Sequence, residues 1–325
     1  MRPFLATLFA VWIAACIAAY FYSHQQHISF RIAICVVPAF LLEIACYMVP
    51  GFPSVRKRFD ALGSKIFRAT LLTASGLVPA FIAVMRGHSF NWGRLVALLA
   101  LILVASFWYV WAGSSVLADL LFLAYMAAIY LARPFDRIYG QLIPHVSLGV
   151  LGQLMWIYVG LMAVLSLRSL DDAHLGFLPT AAEWRIGARH FLYFLPVGAA
   201  LVYIVQLGTF RLHPHSWWNF AVTLILTSCG IFWVVSLAEE FFFRAFLQRV
   251  IARGTHNEMT GLILTSVLFG LAHLPFRKFP NWRFAIVTVA LGFFCGLSFL
   301  RGRSVRASMV THALVATTWR MFFSG

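Results

Sequence analysis

The stretch Ala238-Glu239-Glu240-Phe241-Phe242-Phe243-Arg244 decides the fold, because two adjacent carboxylates and an arginine close a long apolar run. Residues 221–237 carry no charge, and three phenylalanines follow the pair. Ionisable groups at membrane depth are costly, so they are usually paired, face the protein interior and mark function. On a helix Glu240 and Arg244 are four apart and pair on one face. Glu239 is turned about 100° away and lacks that partner. One glutamate is expected to be held and the other to be available.

The surrounding composition supports a membrane setting. The chain has 325 residues, of which 62% are hydrophobic and 11% charged, and its mean hydropathy is +0.86. A soluble domain carries roughly 25% charged residues. The formal charge of +15 sits in short loops between apolar segments, so it reads as membrane-flanking positive charge and excludes nucleic acid as the partner. Cys16, Cys35, Cys46, Cys229 and Cys295 all lie inside apolar runs. There they behave as small hydrophobes, and neither a disulfide nor a cysteine-ligated metal is expected.

Working outward, about eleven apolar runs are long enough to cross or nearly cross a bilayer. They fall near residues 3–22, 31–49, 69–85, 95–111, 116–132, 146–166, 191–209, 220–240, 260–274, 284–300 and 305–323. The fold expected is all-α, a polytopic transmembrane helical bundle of about eleven spans. The first run is long enough to span and is closely followed by a second, so it reads as a retained helix. Residues 51–68 hold Arg56, Lys57, Arg58, Lys65 and Arg68 against Asp60. That loop reads as cytoplasmic and puts the N-terminus inside a multi-pass protein of the cell membrane. One loop opposes this alternation, since Arg277, Lys278 and Arg283 would then lie outside.

The division into domains is expected at residues 167–191, giving an N-terminal bundle over 1–167 and a second domain over 168–325. Arg168, Asp171, Asp172, Glu183, Arg185 and Arg189 surround Gly-Phe-Leu-Pro there. Residues 181–191 are compatible with an amphipathic helix on the membrane surface, with Trp184 and Phe191 down and the charges up. In the first half, Glu43 and Asp119 are intramembrane carboxylates, each read either as mechanistic or as hydrogen-bonded to a neighbouring helix.

The second half holds the chemistry. In Leu268-Phe269-Gly270-Leu271-Ala272-His273-Leu274-Pro275, Phe269 and His273 share a helix face, and Pro275 puts His273 near a helix end. Gly292 and Gly296 have the GxxxG spacing that lets another helix approach. His312 lies well inside the last run. A carboxylate withdrawn from bulk water takes a proton from a water molecule and activates it as a nucleophile. Histidines donate to the oxyanion that forms on a scissile carbonyl. Glu239, Glu240, Arg244, His273 and His312 are together what hydrolysis within a membrane requires.

The ordered set Glu239-Glu240-xxx-Arg244, Phe269-xxx-His273 and His312 resembles the CPBP group of intramembrane proteases, which includes the CAAX prenyl endopeptidases of the Rce1 type. The resemblance covers roughly residues 175–325. It implies a glutamic-type protease with Glu239 as general base and Glu240 with Arg244 as its support. His273 would orient water or substrate, and His312 would belong to the oxyanion site. It also implies a protein or peptide substrate at the lipid bilayer. Many members carry an asparagine or similar residue four positions after the last histidine, where this chain has Ala316. No cofactor is expected; the metal alternative is zinc on Glu239, His273 and His312. The alternatives in function are a non-catalytic CPBP-like scaffold or immunity-type protein, and a transporter with a proton relay.

Overall fold

The computed structural model describes residues 1–87, 91–143, 146–170, 174–211 and 216–324, without the side chains of 35, 82–87, 142–143, 146 and 324. Asp171 and Asp172 therefore lie outside the described residues. Two compact units emerge, Met1–Asp171 and Asp172–Gly325.

The first unit contains α1 (Arg2–Gln25), α2 (Phe30–Met48), α3 (Pro53–Asp60), α4 (Lys65–Gly87), α5 (Trp92–Trp111), α6 (Val116–Ala132), α7 (Pro134–Tyr139) and α8 (Gly149–Met162), the last prolonged by a wide π turn to Leu167. Helix α8 is the centre of this unit. It packs on α2, α4, α5 and α7, and Met155, Trp156, Tyr158, Val159 and Leu161 are buried on it. Helix α1 is exposed along most of its length, as an apolar helix facing lipid is. Asp119 is held by Arg168 through two bonds, at 2.9 and 3.2 Å. Glu43 is fully buried, and neither of its oxygens has a hydrogen-bond partner among the described residues.

The second unit contains α9 (Ala181–Ile204), α10 (Trp217–Gly230), α11 (Leu237–Glu240), α12 (Arg249–Thr255), α13 (Glu258–Ala272), α14 (Trp282–Gly302) and α15 (Val305–Phe322). From α10 to α12 the chain is one helical rod over Trp217–Thr255, broken by π turns at Ile231–Ser236 and Phe241–Gln248. Helices α9, α13, α14 and α15 pack around Phe194, Phe269, Leu291 and Cys295. Caps set the starts of these helices. Asn257 accepts from the amides of Met259 and Thr260, Asn281 from Phe284, and Ser304 from Arg306, satisfying donors that helix N-termini leave open.

Every one of the eleven apolar runs meets a helix, and the architecture is all-α and polytopic. Among the described residues seven helices are long and apolar enough to cross a membrane. Val116–Ala132 and Glu258–Ala272 are shorter apolar helices, so the number eleven counts runs and not full-length spans. The amphipathic surface helix expected at 181–191 is not a separate element. Thr180 and Glu183 form a capping box that starts α9, and the helix continues unbroken to Ile204. Glu183 is buried rather than raised toward water, because Ser304 donates to it and Arg306 pairs with it at 2.9 Å.

Candidate active site

The four-residue helix α11 sits between the two π turns and presents Glu239 and Glu240. Such turns widen a helix locally and are frequent at functional sites. Glu240 and Arg244 are both completely buried and pair at 3.1 Å. The other oxygen of Glu240 takes the Nδ1 proton of His312 at 2.7 Å. Ser308, one turn before His312 on α15, also donates to Glu240, and its hydroxyl lies 3.0 Å from the Cys295 carbonyl. Glu240 is thus fixed from its own helix and from α15.

Glu239 has a different environment. Its side chain is a quarter exposed, and its buried Oε2 has no hydrogen-bond partner among the described residues. That oxygen lies 3.7 Å from Nε2 of His273 and 3.9 Å from Nε2 of His312. These gaps are too long for direct hydrogen bonds and are of the kind a water molecule bridges. His273 caps the end of α13, and its Nδ1 lies 2.7 Å from the Phe269 carbonyl. A carbonyl only accepts, so that nitrogen carries the hydrogen, and in the neutral ring Nε2 offers its lone pair to the Glu239 side. His312 has the same arrangement through Glu240. The ring of Phe269 lies against both imidazoles, with centroids at 4.6 and 5.8 Å, and the Arg244 guanidinium sits 5.1 Å above it.

The five residues singled out by sequence, Glu239, Glu240, Arg244, His273 and His312, are therefore gathered in one place. Ser308 was not singled out, although its position four before His312 puts both on one helix face. Thr317, the polar residue next to Ala316, is buried with its hydroxyl unpartnered among the described residues.

Two donor sets bear on a metal. Glu240, Cys295 and His312 have ligand atoms within 4.8 Å of one another. They do not fit a dication, because Arg244 already neutralises Glu240 and the Nδ1 of His312 is spent on that carboxylate. Glu239, His273 and His312 keep the free oxygen and lone pairs that the zinc alternative requires.

These features define a polytopic helical membrane protein with a carboxylate and two imidazoles facing one another beside a buried ion pair. Residues 216–318 match the model of the Rce1-like family, described as type II CAAX prenyl endopeptidase Rce1-like. The match runs from the cap of α10 into α15, contains all five residues, and agrees with the resemblance read from the motifs. It covers roughly a third of the chain and leaves the first unit outside. No curated protein and no solved structure matches the chain.

Proposed function

We propose that this protein is a glutamic-type intramembrane endopeptidase that cuts a peptide bond of a membrane-associated or lipidated protein with water activated by Glu239. The observation that carries the reading is the unpartnered Oε2 of Glu239 facing Nε2 of both histidines, while its neighbour Glu240 is locked. A water molecule held by Glu239 and by Nε2 of His273 loses one proton to Glu239, and its oxygen adds to the scissile carbonyl carbon. The negative charge moves to the carbonyl oxygen. His312 donates to that oxyanion when it carries protons on both nitrogens, with Glu240 at 2.7 Å as the countercharge. The tetrahedral centre then collapses, the C–N bond breaks, and the proton on Glu239 passes to the leaving amine. The products are an acid and an amine, and no redox step is involved.

The match to CAAX prenyl endopeptidase-like proteins supports a lipidated or membrane-bound protein substrate. The basic loop at residues 51–68 supports a cytoplasmic N-terminus in the cell membrane. Ala316 favours a second reading, a catalytically silent scaffold that keeps the pocket for packing. The test is a comparison of membrane proteomes from cells with the wild-type chain and with Glu239→Gln. Accumulation of an uncut precursor in the variant supports the protease; identical proteomes with equal amounts of folded protein favour the scaffold. Addition of a chelator to the active protein is expected to leave cleavage unchanged, and loss of cleavage restored by zinc would assign the site to the metal.

A further inference from the structure

The first unit has a basic cleft that the proposed chemistry does not use. It is an open cavity of about 580 Å³ between the start of α5 and the end of α7, with Arg94, Ala97, Asp136, Arg137, Ile138 and Gly140 on its walls. Sites for small ligands run roughly 300–1,000 Å³. The two walls come together at Gly140, whose φ of +71° favours glycine. A Cβ there would stand 3.5 Å from Nη1 of Arg94. The Arg94 guanidinium therefore reaches from α5 to the end of α7, where Arg137 stands three residues before Gly140.

The charges in the cleft do not cancel. Asp136 is the acid on its walls, and both oxygens of that carboxylate are engaged elsewhere. Oδ2 faces Nε of Arg133 at 3.4 Å, and Oδ1 accepts from the Ser147 hydroxyl at 3.2 Å. Arg94 and Arg137 are exposed, and neither has an acidic partner among the described residues. Two guanidiniums thus border one concave space without a countercharge.

The surroundings identify the occupant. Trp92 opens α5 and Tyr130 lies in the last turn of α6; they are 67% and 53% exposed. Rings of this kind mark the level of the lipid headgroups. Beyond them Val96, Leu99 and Leu103 continue an exposed apolar stripe along α5, as residues facing acyl chains do. The cleft therefore lies at headgroup depth beside a lipid-facing helix. A guanidinium engages a phosphate through paired N–H donors, and basic pockets between membrane helices take anionic headgroups. We propose that Arg94 and Arg137 hold the phosphate of an anionic phospholipid in this cleft, with its acyl chains along the exposed stripe of α5. A zwitterionic lipid fits less well, because it brings a positive charge back beside two guanidiniums. The inference concerns the first unit, and neither its argument nor its test depends on the protease reading.

The test titrates the full-length protein in detergent with phosphatidylglycerol or phosphatidylcholine and reads bound lipid by native mass spectrometry. Wild type should retain phosphatidylglycerol in preference; equal retention of the two lipids overturns the inference without any variant. Arg94→Gln combined with Arg137→Gln should weaken phosphatidylglycerol binding by about 30-fold. Arg253→Gln combined with Arg301→Gln removes the same charge from exposed positions of the second unit and should leave that binding unchanged. No loss in the first double variant, or an equal loss in both, overturns the site and leaves only attraction to net charge. Inorganic phosphate at the same concentration should not displace the lipid, since it has no chains to lay along α5. Displacement would overturn the assignment to a lipid.

Discussion

Asp119–Arg168 in the first unit and Glu240–Arg244 in the second are both acid–arginine pairs on a buried carboxylate, and they are built differently. In the first, Arg168 occupies both oxygens of Asp119 at 2.9 and 3.2 Å. In this fork-to-fork geometry one guanidinium engages both carboxylate oxygens. In the second, Arg244 meets Glu240 through Nε alone, and His312 and Ser308 take the remaining capacity. The second pair also has Glu239 beside it, open to two imidazoles. The first unit also holds a carboxyl without a hydrogen bond. Glu43 is buried without a hydrogen-bond partner among the described residues, and the groups that interact with it electrostatically are Cys46, Tyr139 and Tyr158. The proposed site combines a held carboxylate, a free one and a histidine that faces both.

The largest effect is expected where the two unpartnered carboxyls receive the same substitution. Glu239→Gln removes the base and should lower turnover by about 10²–10⁴-fold, with the unfolding midpoint kept. Glu43→Gln should leave turnover per folded molecule unchanged. Single-turnover cleavage of a precursor, normalised to folded protein, checks both. Equal losses in the two variants would erase the distinction between the units.

Next come the pairs themselves. Arg244→Ala strands Glu240 in the interior, and breaking such a pair costs about 3–5 kcal/mol. Arg168 is about a fifth exposed, so Arg168→Ala should cost less, because water screens part of the loss. The sharper contrast is in function. The folded fraction of Arg244→Ala should be inactive, and that of Arg168→Ala should cleave normally. Denaturation in detergent, followed by activity per folded molecule, separates the two readouts.

The asymmetry between Glu239 and Glu240 was legible because it needs only helical spacing and the cost of a lone charge in an apolar run. The two histidines were legible for the same reason, each being a polar group within an apolar helix. The wide turns at Ile231–Ser236 and Phe241–Gln248 were not, since nothing in the residue pattern marks where a helix opens by one residue. Glu183 misled for a different reason. Its partners Ser304 and Arg306 lie more than a hundred positions away, so local amphipathicity placed it at the surface while tertiary pairing buried it. The eleven runs reflect hydropathy; how many are full-length spans depends on helix ends that caps and turns decide.

Ser308 sharpens the comparison further, because it brings a hydroxyl donor to Glu240 from α15. Ser308→Ala removes one donor to a buried carboxylate and leaves Arg244 and His312 in place. A bond to a charged group contributes roughly 1.5–3 kcal/mol, so the midpoint should fall by less than in Arg244→Ala. Turnover should also fall, since Glu240 then positions His312 less firmly. A variant with lower stability and full turnover would show that Arg244 and His312 suffice to hold the carboxylate.

The smallest effect is expected at the caps, where the units become alike. Thr180 caps α9 and Ser115 caps α6, each accepting from a backbone amide three residues on. Replacing either by alanine should cost about 1 kcal/mol. Thr180 differs in that Glu183 reciprocates to its backbone amide while also pairing with Arg306 at the start of α15. α15 carries Ser308 and His312, so the cap is linked to the site through one carboxylate. Thr180→Ala leaves Ser304 and Arg306 on Glu183, and turnover per folded molecule should match that of Ser115→Ala. A selective loss of turnover in Thr180→Ala, at equal stability, would mean that the entry of α9 sets the register of α15 and with it the reach of His312 toward Glu239.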